Sequence, residues 1–269
     1  MFQTIYVGNL LGIKVYIHWS FWLLAMYVLL TNLNQGFVSA FKALGFVFAV
    51  FGCVFLHEMG HAMAGRWFRI PTVDITLLPI GGVARMGDFT RSPLAELVIA
   101  IAGPMVNVVI AIVLVLGLSI HANLTPNNEM TLARMAPLEQ LLLANIGLVV
   151  FNMLPSFPMD GGRVLRSLLA FVMPYSKATR YAARTGQIMA IGMFICGIYY
   201  FNTFGISLLL IAGIVFAVCS GELLKERITS ARDQMTGSPF PFGTSPQGQS
   251  NPTRNDGDII DAVEVKRVR

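Results

Sequence analysis

Charged residues are scarce in this 269-residue sequence: Asp, Glu, Lys and Arg make up only 12% of it. A soluble domain carries about 25%. Hydrophobic residues make up 55%. They gather in runs near the ~20 residues that a helix needs to cross the hydrocarbon core of a bilayer. This shortage of charge argues against an ordinary soluble enzyme, and it predicts an all-α polytopic protein in a lipid bilayer.

Cysteine is also rare, and the three cysteines lack the spacing of a metal site. Cys53, Cys196 and Cys219 all lie in apolar segments, and no two of them form a CxxC pair. This pattern argues against both a disulfide framework and a thiolate zinc site. The net charge of +5 comes from basic residues beside the apolar runs, without the interleaved pattern of a nucleic-acid surface. We therefore expect buried cysteines and no nucleic-acid partner.

Six apolar segments are predicted to cross the membrane. They lie at residues 15–31, 43–65, 94–117, 138–159, 186–201 and 206–222. The N-terminal segment has no early basic cluster and no small-residue cleavage site, so it is interpreted as a retained span. Most basic residues share one side of the membrane if both termini are inside, and only Lys42 and Arg134 fall outside. This asymmetry predicts cytoplasmic termini.

Two further segments differ from the spans. Between the second and third spans, PTVDITLLPIGGVARMGD alternates β-branched and apolar residues around Gly81 and Gly82. This predicts a small membrane-associated β-hairpin or re-entrant loop, with an ordinary cytoplasmic hairpin as the alternative. After Arg232 the sequence becomes rich in Pro, Gly, Ser and Gln. We predict a transmembrane domain over residues 1–232 and a disordered cytoplasmic tail over residues 233–269.

The segment His57-Glu58-Met59-Gly60-His61 lies at the end of the second predicted span. Helical geometry places the two histidines on one face, where both can bind one zinc ion. Glu58 can reach a zinc-bound water without being a ligand, which suits a general base. So short a motif also occurs by chance. However, ionisable residues directly after a long apolar run are costly unless they are paired or bind a metal.

A catalytic zinc site needs a third protein ligand, and Asp160 is the preferred candidate. It follows the fourth predicted span, where Pro155 and Pro158 break the helix and Gly161-Gly162 allow a tight turn. The second and fourth spans run in the same direction. Asp160 is therefore expected at the membrane face that holds the histidines.

Other residues remain possible third ligands. Glu96, at the start of the third predicted span, reaches the same face and is the main rival. His121 falls on the opposite side of the predicted membrane, and His18 lies early in the first span. For these two, a hydrogen-bonded interfacial histidine is the favoured interpretation.

Four motifs, in order, resemble those of the site-2 protease family of intramembrane zinc metalloproteases. HEMGHA resembles the family's HExxH helix, LLPIGGVARM its glycine-containing membrane loop, AGPMVN its third-span motif, and NMLPSFPMDGGRVLR its aspartate motif. The resemblance covers most of the chain before the tail. It is to the compact prokaryotic type, so regulation by a PDZ domain or a CBS pair is not expected.

The resemblance implies one Zn2+ per chain, bound by His57, His61 and Asp160, with Glu58 as the catalytic carboxylate. It therefore favours Asp160 over Glu96 as the third ligand. The implied activity is that of an intramembrane endopeptidase.

The resemblance also suggests further site residues. Asn152 is expected to contact the substrate or stabilise the tetrahedral intermediate, and Asn107 to order the site. For both, bracing of helix packing is the alternative. The loop at Gly81 and Gly82 is expected to pair with an unwound substrate segment by strand addition.

The implied partner is a transmembrane protein substrate, such as an anti-sigma factor, another membrane-bound regulator or a remnant signal peptide, in a bacterial plasma membrane. The alternatives are a zinc transporter and a proteolytically inactive relative that binds membrane proteins. The other spans hold few ionisable residues, which argues against a transport path. Every residue that the mechanism requires is present, which argues against inactivity.

Overall fold

The computed structural model describes residues 4–79, 81–86, 92–124, 129–201 and 205–235. The chain divides into two units, Met1–Arg227 and Ile228–Arg269. The first unit contains the sheet and every residue of the candidate site. The described part of the second unit is the end of a helix, which reaches Met235. The predicted tail lies outside the described residues from position 236 onward.

The described part of the chain forms seven α-helices and four strands. In chain order they are β1 (Thr4–Leu10), β2 (Ile13–His18), α1 (Trp19–Asn32), α2 (Phe37–Trp67), β3 (Thr72–Leu78), β4 (Gly81–Met86), α3 (Pro93–Leu124), α4 (Glu129–Asn152), α5 (Asp160–Ala170), α6 (Tyr175–Tyr199) and α7 (Ile206–Met235). A short 3-10 turn, Leu33–Gln35, joins α1 to α2. The fold is mostly helical, with a sheet larger than the predicted hairpin.

Among the described residues, three helices are long and apolar enough to cross a membrane: Phe37–Trp67, Pro93–Ile120 within α3, and Ile206–Arg232 within α7. They contain the second, third and sixth predicted spans. A shorter apolar helix, Pro137–Asn152, covers most of the fourth, which was predicted to continue to residue 159. Six spans therefore remain a prediction, since length and composition identify three.

The first predicted span, residues 15–31, is wrong at its start. Ile13–His18 form strand β2, and α1 begins only at Trp19. Residues of β2 are mostly β-branched or aromatic, and they pair with β1 and β3. His18 caps α1, because its ring nitrogen accepts the backbone N–H of Ser20 at 3.3 Å. Helix capping accounts for this histidine.

The four strands form one sheet in the order β1-β2-β3-β4. The β1–β2 and β3–β4 pairs are antiparallel, and β2 runs parallel to β3. Ile13 and Ile75 on one face of the sheet pack with Met59 and Ala62 of α2. The sheet therefore covers the part of α2 that carries the HEMGH segment, and β4 is an edge strand beside it.

Helices α2 and α3 cross closely beside this segment. A Cβ atom added to Gly60 of α2 would lie 2.8 Å from the carbonyl oxygen of Ala102 in α3. Only a glycine allows this approach of the two backbones. A second apolar cluster contains Phe157 and Met159, which precede α5, together with residues of α6 and α7. This cluster holds the start of α5 in the protein interior.

Candidate metal centre

Three buried side chains from α2 and α5 converge at one point. His57 and His61 are each 4% exposed, and Asp160, the first residue of α5, is 8% exposed. The Oδ2 atom of Asp160 lies 3.1 Å from Nε2 of His57 and 3.1 Å from Nε2 of His61. The two Nε2 atoms are also 3.1 Å apart. The three atoms form a nearly equilateral triangle.

The opposite ring nitrogens show which atoms carry protons. Nδ1 of His61 lies 2.6 Å from the carbonyl oxygen of Ile99, and Nδ1 of His57 lies 2.6 Å from Oδ1 of Asn107. Both oxygens accept, so both Nδ1 atoms donate, and each Nε2 of a neutral ring presents a lone pair. Two such lone pairs and a carboxylate oxygen would repel one another unless a cation lay between them.

This donor set fits zinc. Catalytic zinc sites use three protein ligands, commonly neutral histidines with a carboxylate, and keep a fourth position open. Tetrahedral zinc with bonds of about 2.0–2.1 Å separates its ligand atoms by about 3.3 Å. The observed separations of 3.1 Å are close to that value. Within the described residues, His57, His61 and Asp160 form the group that can hold a metal ion.

Glu58 lies against the edge strand β4 and outside this group of ligand atoms. A Cβ atom on Gly82 would lie 2.5 Å from Cγ of Glu58 and 3.1 Å from its Oε1. The backbone amide of Ala84 also faces the carboxylate. The sheet therefore positions Glu58 beside the triangle, and the absence of a side chain at position 82 leaves room for it.

Gly103 of α3 lies against both histidines. A Cβ atom there would be 2.8 Å from Nε2 of His57 and closer still to Nε2 of His61. This glycine belongs to the AGPMVN motif, but no role was predicted for it from the sequence. A small residue in a motif of a predicted span was the available signal.

The glycine pair after Asp160 differs from its predicted role. Gly161 and Gly162 were expected to allow a tight turn, but both lie in the first turn of helix α5. A Cβ atom on Gly162 would be 2.6 Å from the carbonyl carbon of Ser156. The glycines are required because the backbone before α5 packs directly on the start of the helix. This packing determines where α5 begins, and therefore where Asp160 lies.

Glu96, the main rival ligand, has other partners. Its carboxylate is 2% exposed and accepts hydrogen bonds from Nε of Arg166 at 2.8 Å and from the Tyr175 hydroxyl at 3.0 Å. Burial raises the pKa of Tyr175 above its usual range, so the phenol remains a donor. The Arg166 guanidinium also lies 5.0 Å from the centre of the Phe157 ring. Glu96 thus joins α3 to α5 and α6 and is not part of the metal group.

The remaining predicted residues have different environments. Asn107 is fully buried and contacts His57. Asn152 is half-buried at the end of α4, and its contact with a substrate stays a prediction. Gly81 begins β4 with φ of 140°, which favours glycine. The side chain of His121 lies outside the described residues. Asn145, which was not predicted as a site residue, is fully buried beside Asn107.

Comparison with known proteins agrees with this geometry. The model of peptidase family M50 matches residues 45–127 and 118–193, which include the metal-binding group. A zinc metalloprotease of Methanocaldococcus jannaschii is 34% identical over 203 residues, covering 75% of this chain and 56% of that protein. The stage IV sporulation protein FB of Bacillus subtilis is 28% identical over 174 residues, covering 64% of this chain and 54% of that protein.

A solved structure, the site-2 protease from Methanocaldococcus jannaschii, is also similar. It is 32% identical to this chain with a TM-score of 0.57, and the match covers 82% of this chain and 95% of that one. The chain spans about half the length of the two relatives compared by sequence. Helices able to cross a membrane and these relatives identify an integral membrane protein with zinc as its cofactor. By the extent of the family match, the chain belongs to peptidase family M50, the site-2 proteases.

Proposed function

We propose that this protein is a zinc-dependent endopeptidase that hydrolyses peptide bonds in or near the transmembrane segments of membrane-anchored proteins. One observation carries the proposal: two histidine Nε2 atoms and a carboxylate oxygen converge, with a further carboxylate, Glu58, held beside them. A binding or transport site needs the three ligands but not the fourth group. Hydrolysis needs all four.

The chain's own residues supply binding and proton transfer. His57, His61 and Asp160 would hold the ion. Zinc, when bound, acts as a Lewis acid and makes water a nucleophile near neutral pH. The Glu58 carboxylate accepts the proton that the attacking water loses and then donates it to the leaving amide nitrogen. Asn152 is proposed to contact the substrate.

The edge strand β4 is proposed to bind the substrate by strand addition. An edge strand has backbone groups available for a further strand, and such pairing requires an extended peptide. Gly82 of β4 lies directly against Glu58, so a peptide paired with this strand would pass beside the catalytic carboxylate. A substrate helix must therefore unwind before it is cut.

Backbone methylation of the substrate tests strand addition. In synthetic single-span peptides, N-methylation removes one amide donor at a time, and a paired strand uses the donors of every second residue. We expect kcat/KM to fall by about fivefold for methylation at alternate positions near the cut, since one hydrogen bond contributes about 1 kcal/mol and about 1.4 kcal/mol corresponds to tenfold. Methylation at the intervening positions should have little effect. Equal losses at all positions would argue against pairing with β4.

The proposed location is a bacterial plasma membrane with both termini in the cytoplasm. Its support is the distribution of Lys and Arg beside the predicted spans. The proposed substrates are membrane-anchored regulators, such as anti-sigma factors, or remnant signal peptides.

The proposed function is tested on the purified full chain in detergent. We expect one zinc per chain by elemental analysis, and cleavage of single-span substrates at bonds within or next to the span, located by mass spectrometry. Chelation should stop cleavage and added zinc should restore it. Bound zinc without cleavage of any substrate in a broad panel would favour a transporter or an inactive relative instead.

A further inference from the structure

A chain of hydrogen bonds leads from His57 away from the metal centre. Oδ1 of Asn107 in α3 accepts from Nδ1 of His57 at 2.6 Å. Nδ2 of Asn107 donates to Oδ1 of Asn145 in α4 at 2.8 Å. Nδ2 of Asn145 donates to the backbone carbonyl of Leu141 at 2.8 Å and to Sγ of Cys53 at 3.4 Å. We call Asn107 and Asn145 the amide pair.

Burial makes the amide pair costly to keep unless each group has a partner. Both side chains are 0% exposed, and they lie in helices of a membrane protein. An unpaired amide in an apolar environment is unfavourable, because it loses the hydrogen bonds that water would make to it. Here, each amide has its oxygen accepting and its nitrogen donating, and each amide bridges two different helices. Packing alone would be served equally well by two leucines.

The hydrogen bond to Leu141, at the end of this series, determines which way each amide group faces. The carbonyl of Leu141 can only accept, so the Asn145 side chain must turn its NH2 group towards it. The oxygen of Asn145 then faces Asn107 and requires a donor from it. Asn107 consequently turns its own oxygen towards His57. Reversing either amide would place two donors or two acceptors against each other.

We infer that Asn145 is a positioning residue for the metal centre. It does not contact a metal ligand itself, but it contacts Asn107, which contacts the ligand His57. Through Asn107 it keeps the hydrogen of His57 on Nδ1, so that Nε2 presents its lone pair towards His61 and Asp160. The partner of the second nitrogen sets the tautomer of a metal-binding histidine, and its loss costs about 10–100-fold in metal affinity. The inference rests on the proposed zinc site.

The variant Asn145→Leu tests this role, because leucine has a similar volume and no amide. Asn107 then loses the acceptor that fixes its direction and can turn its NH2 group towards His57. We expect zinc affinity, measured by competition with a chromogenic chelator, to fall about tenfold. The matched control is Asn32→Leu in α1, since Asn32 makes the same bond to a carbonyl four residues earlier, Val28, at 2.8 Å. It should leave zinc affinity unchanged.

A double variant separates positioning from packing. If Asn145 acts through Asn107, Asn145→Leu should have little further effect on zinc affinity in an Asn107→Ala background. If the loss of zinc affinity in the double variant equals the sum of the losses in the two single variants, the two residues have independent packing roles, and the inference is overturned. Unchanged zinc affinity in Asn145→Leu alone would also overturn it.

A tautomer measurement needs no metal and no cleavage. The chain has four histidines, so nitrogen-15 NMR of the metal-free, histidine-labelled protein can resolve them, with His57→Gln for assignment. We expect Nδ1 of His57 to carry a hydrogen in the wild type and to lose it in part of the population in Asn145→Leu. The same tautomer in both proteins would contradict the inference. Because this signal is independent of catalysis, its failure and the failure of the proposed function are distinguishable.

Discussion

Glu58→Gln is expected to keep its zinc and lose cleavage, with kcat falling by about 10²–10⁴, the range for a removed general base. Glutamine has the shape of glutamate, so it fits against Gly82 and β4, but it cannot accept the proton of the attacking water. Asp160→Ala is expected to lose both zinc and cleavage, because it leaves two nitrogen ligands. The two variants therefore separate proton transfer from metal binding.

The measurements are zinc per chain and initial cleavage rate for the wild type and both variants in the same detergent. Glu139→Gln is the control for a carboxylate change, since Glu139 is an exposed residue of α4, and it should match the wild type. If Glu58→Gln cleaves as fast as the wild type, the proposed role of Glu58 is wrong. If Asp160→Ala retains a full zinc ion, the proposed ligand set is wrong.

The core of the site was predictable because its information is local. The spacing of His57 and His61 requires only helical geometry to place both rings on one face. Asp160 required one further step, the direction of two spans, and the structure brings it to within 3.1 Å of both histidines. Prolines after Asn152 also indicated correctly that a helix ends before this aspartate.

Pairing between distant segments could not be predicted in the same way. Strand β2 was interpreted as the start of a span, because its apolar residues fit both structures and its partner β3 comes more than fifty residues later. Parallel pairing of this kind leaves no local turn signal. The sheet around the predicted hairpin was therefore missed, although it positions Glu58.

The partners of polar residues within apolar helices could also be identified only from the structure. Glu96 had the chemistry and the predicted depth of a ligand, and only the position of Arg166, seventy residues later, shows that it is an ion-pair partner. Sequence spacing likewise carried no sign that Asn145 contacts Asn107 across two helices. Burial of such groups demands a partner, but the partner's identity depends on how the helices pack.

Gly103→Ala is expected to reduce zinc affinity at least about 100-fold, although position 103 contributes no ligand atom. The added Cβ would enter the space beside both Nε2 atoms. The two rings are held in place by the hydrogen bonds of their Nδ1 atoms to Asn107 and to the carbonyl of Ile99. The rings cannot retreat without breaking those hydrogen bonds. Overpacking typically costs about 1–3 kcal/mol, and about 2.7 kcal/mol corresponds to the expected loss. Chelator competition measures it directly.

Gly117→Ala is the matched control, because Gly117 lies in the same helix and a Cβ atom there would meet nothing within 4 Å. Both substitutions favour the helix by a similar amount, about 0.8–1.0 kcal/mol in propensity, so this contribution cancels in the comparison. The difference in zinc affinity between the two variants then reports the space at the metal centre alone. Equal affinities would mean that α3 can move away from α2, and that the close approach of these helices does not define the site.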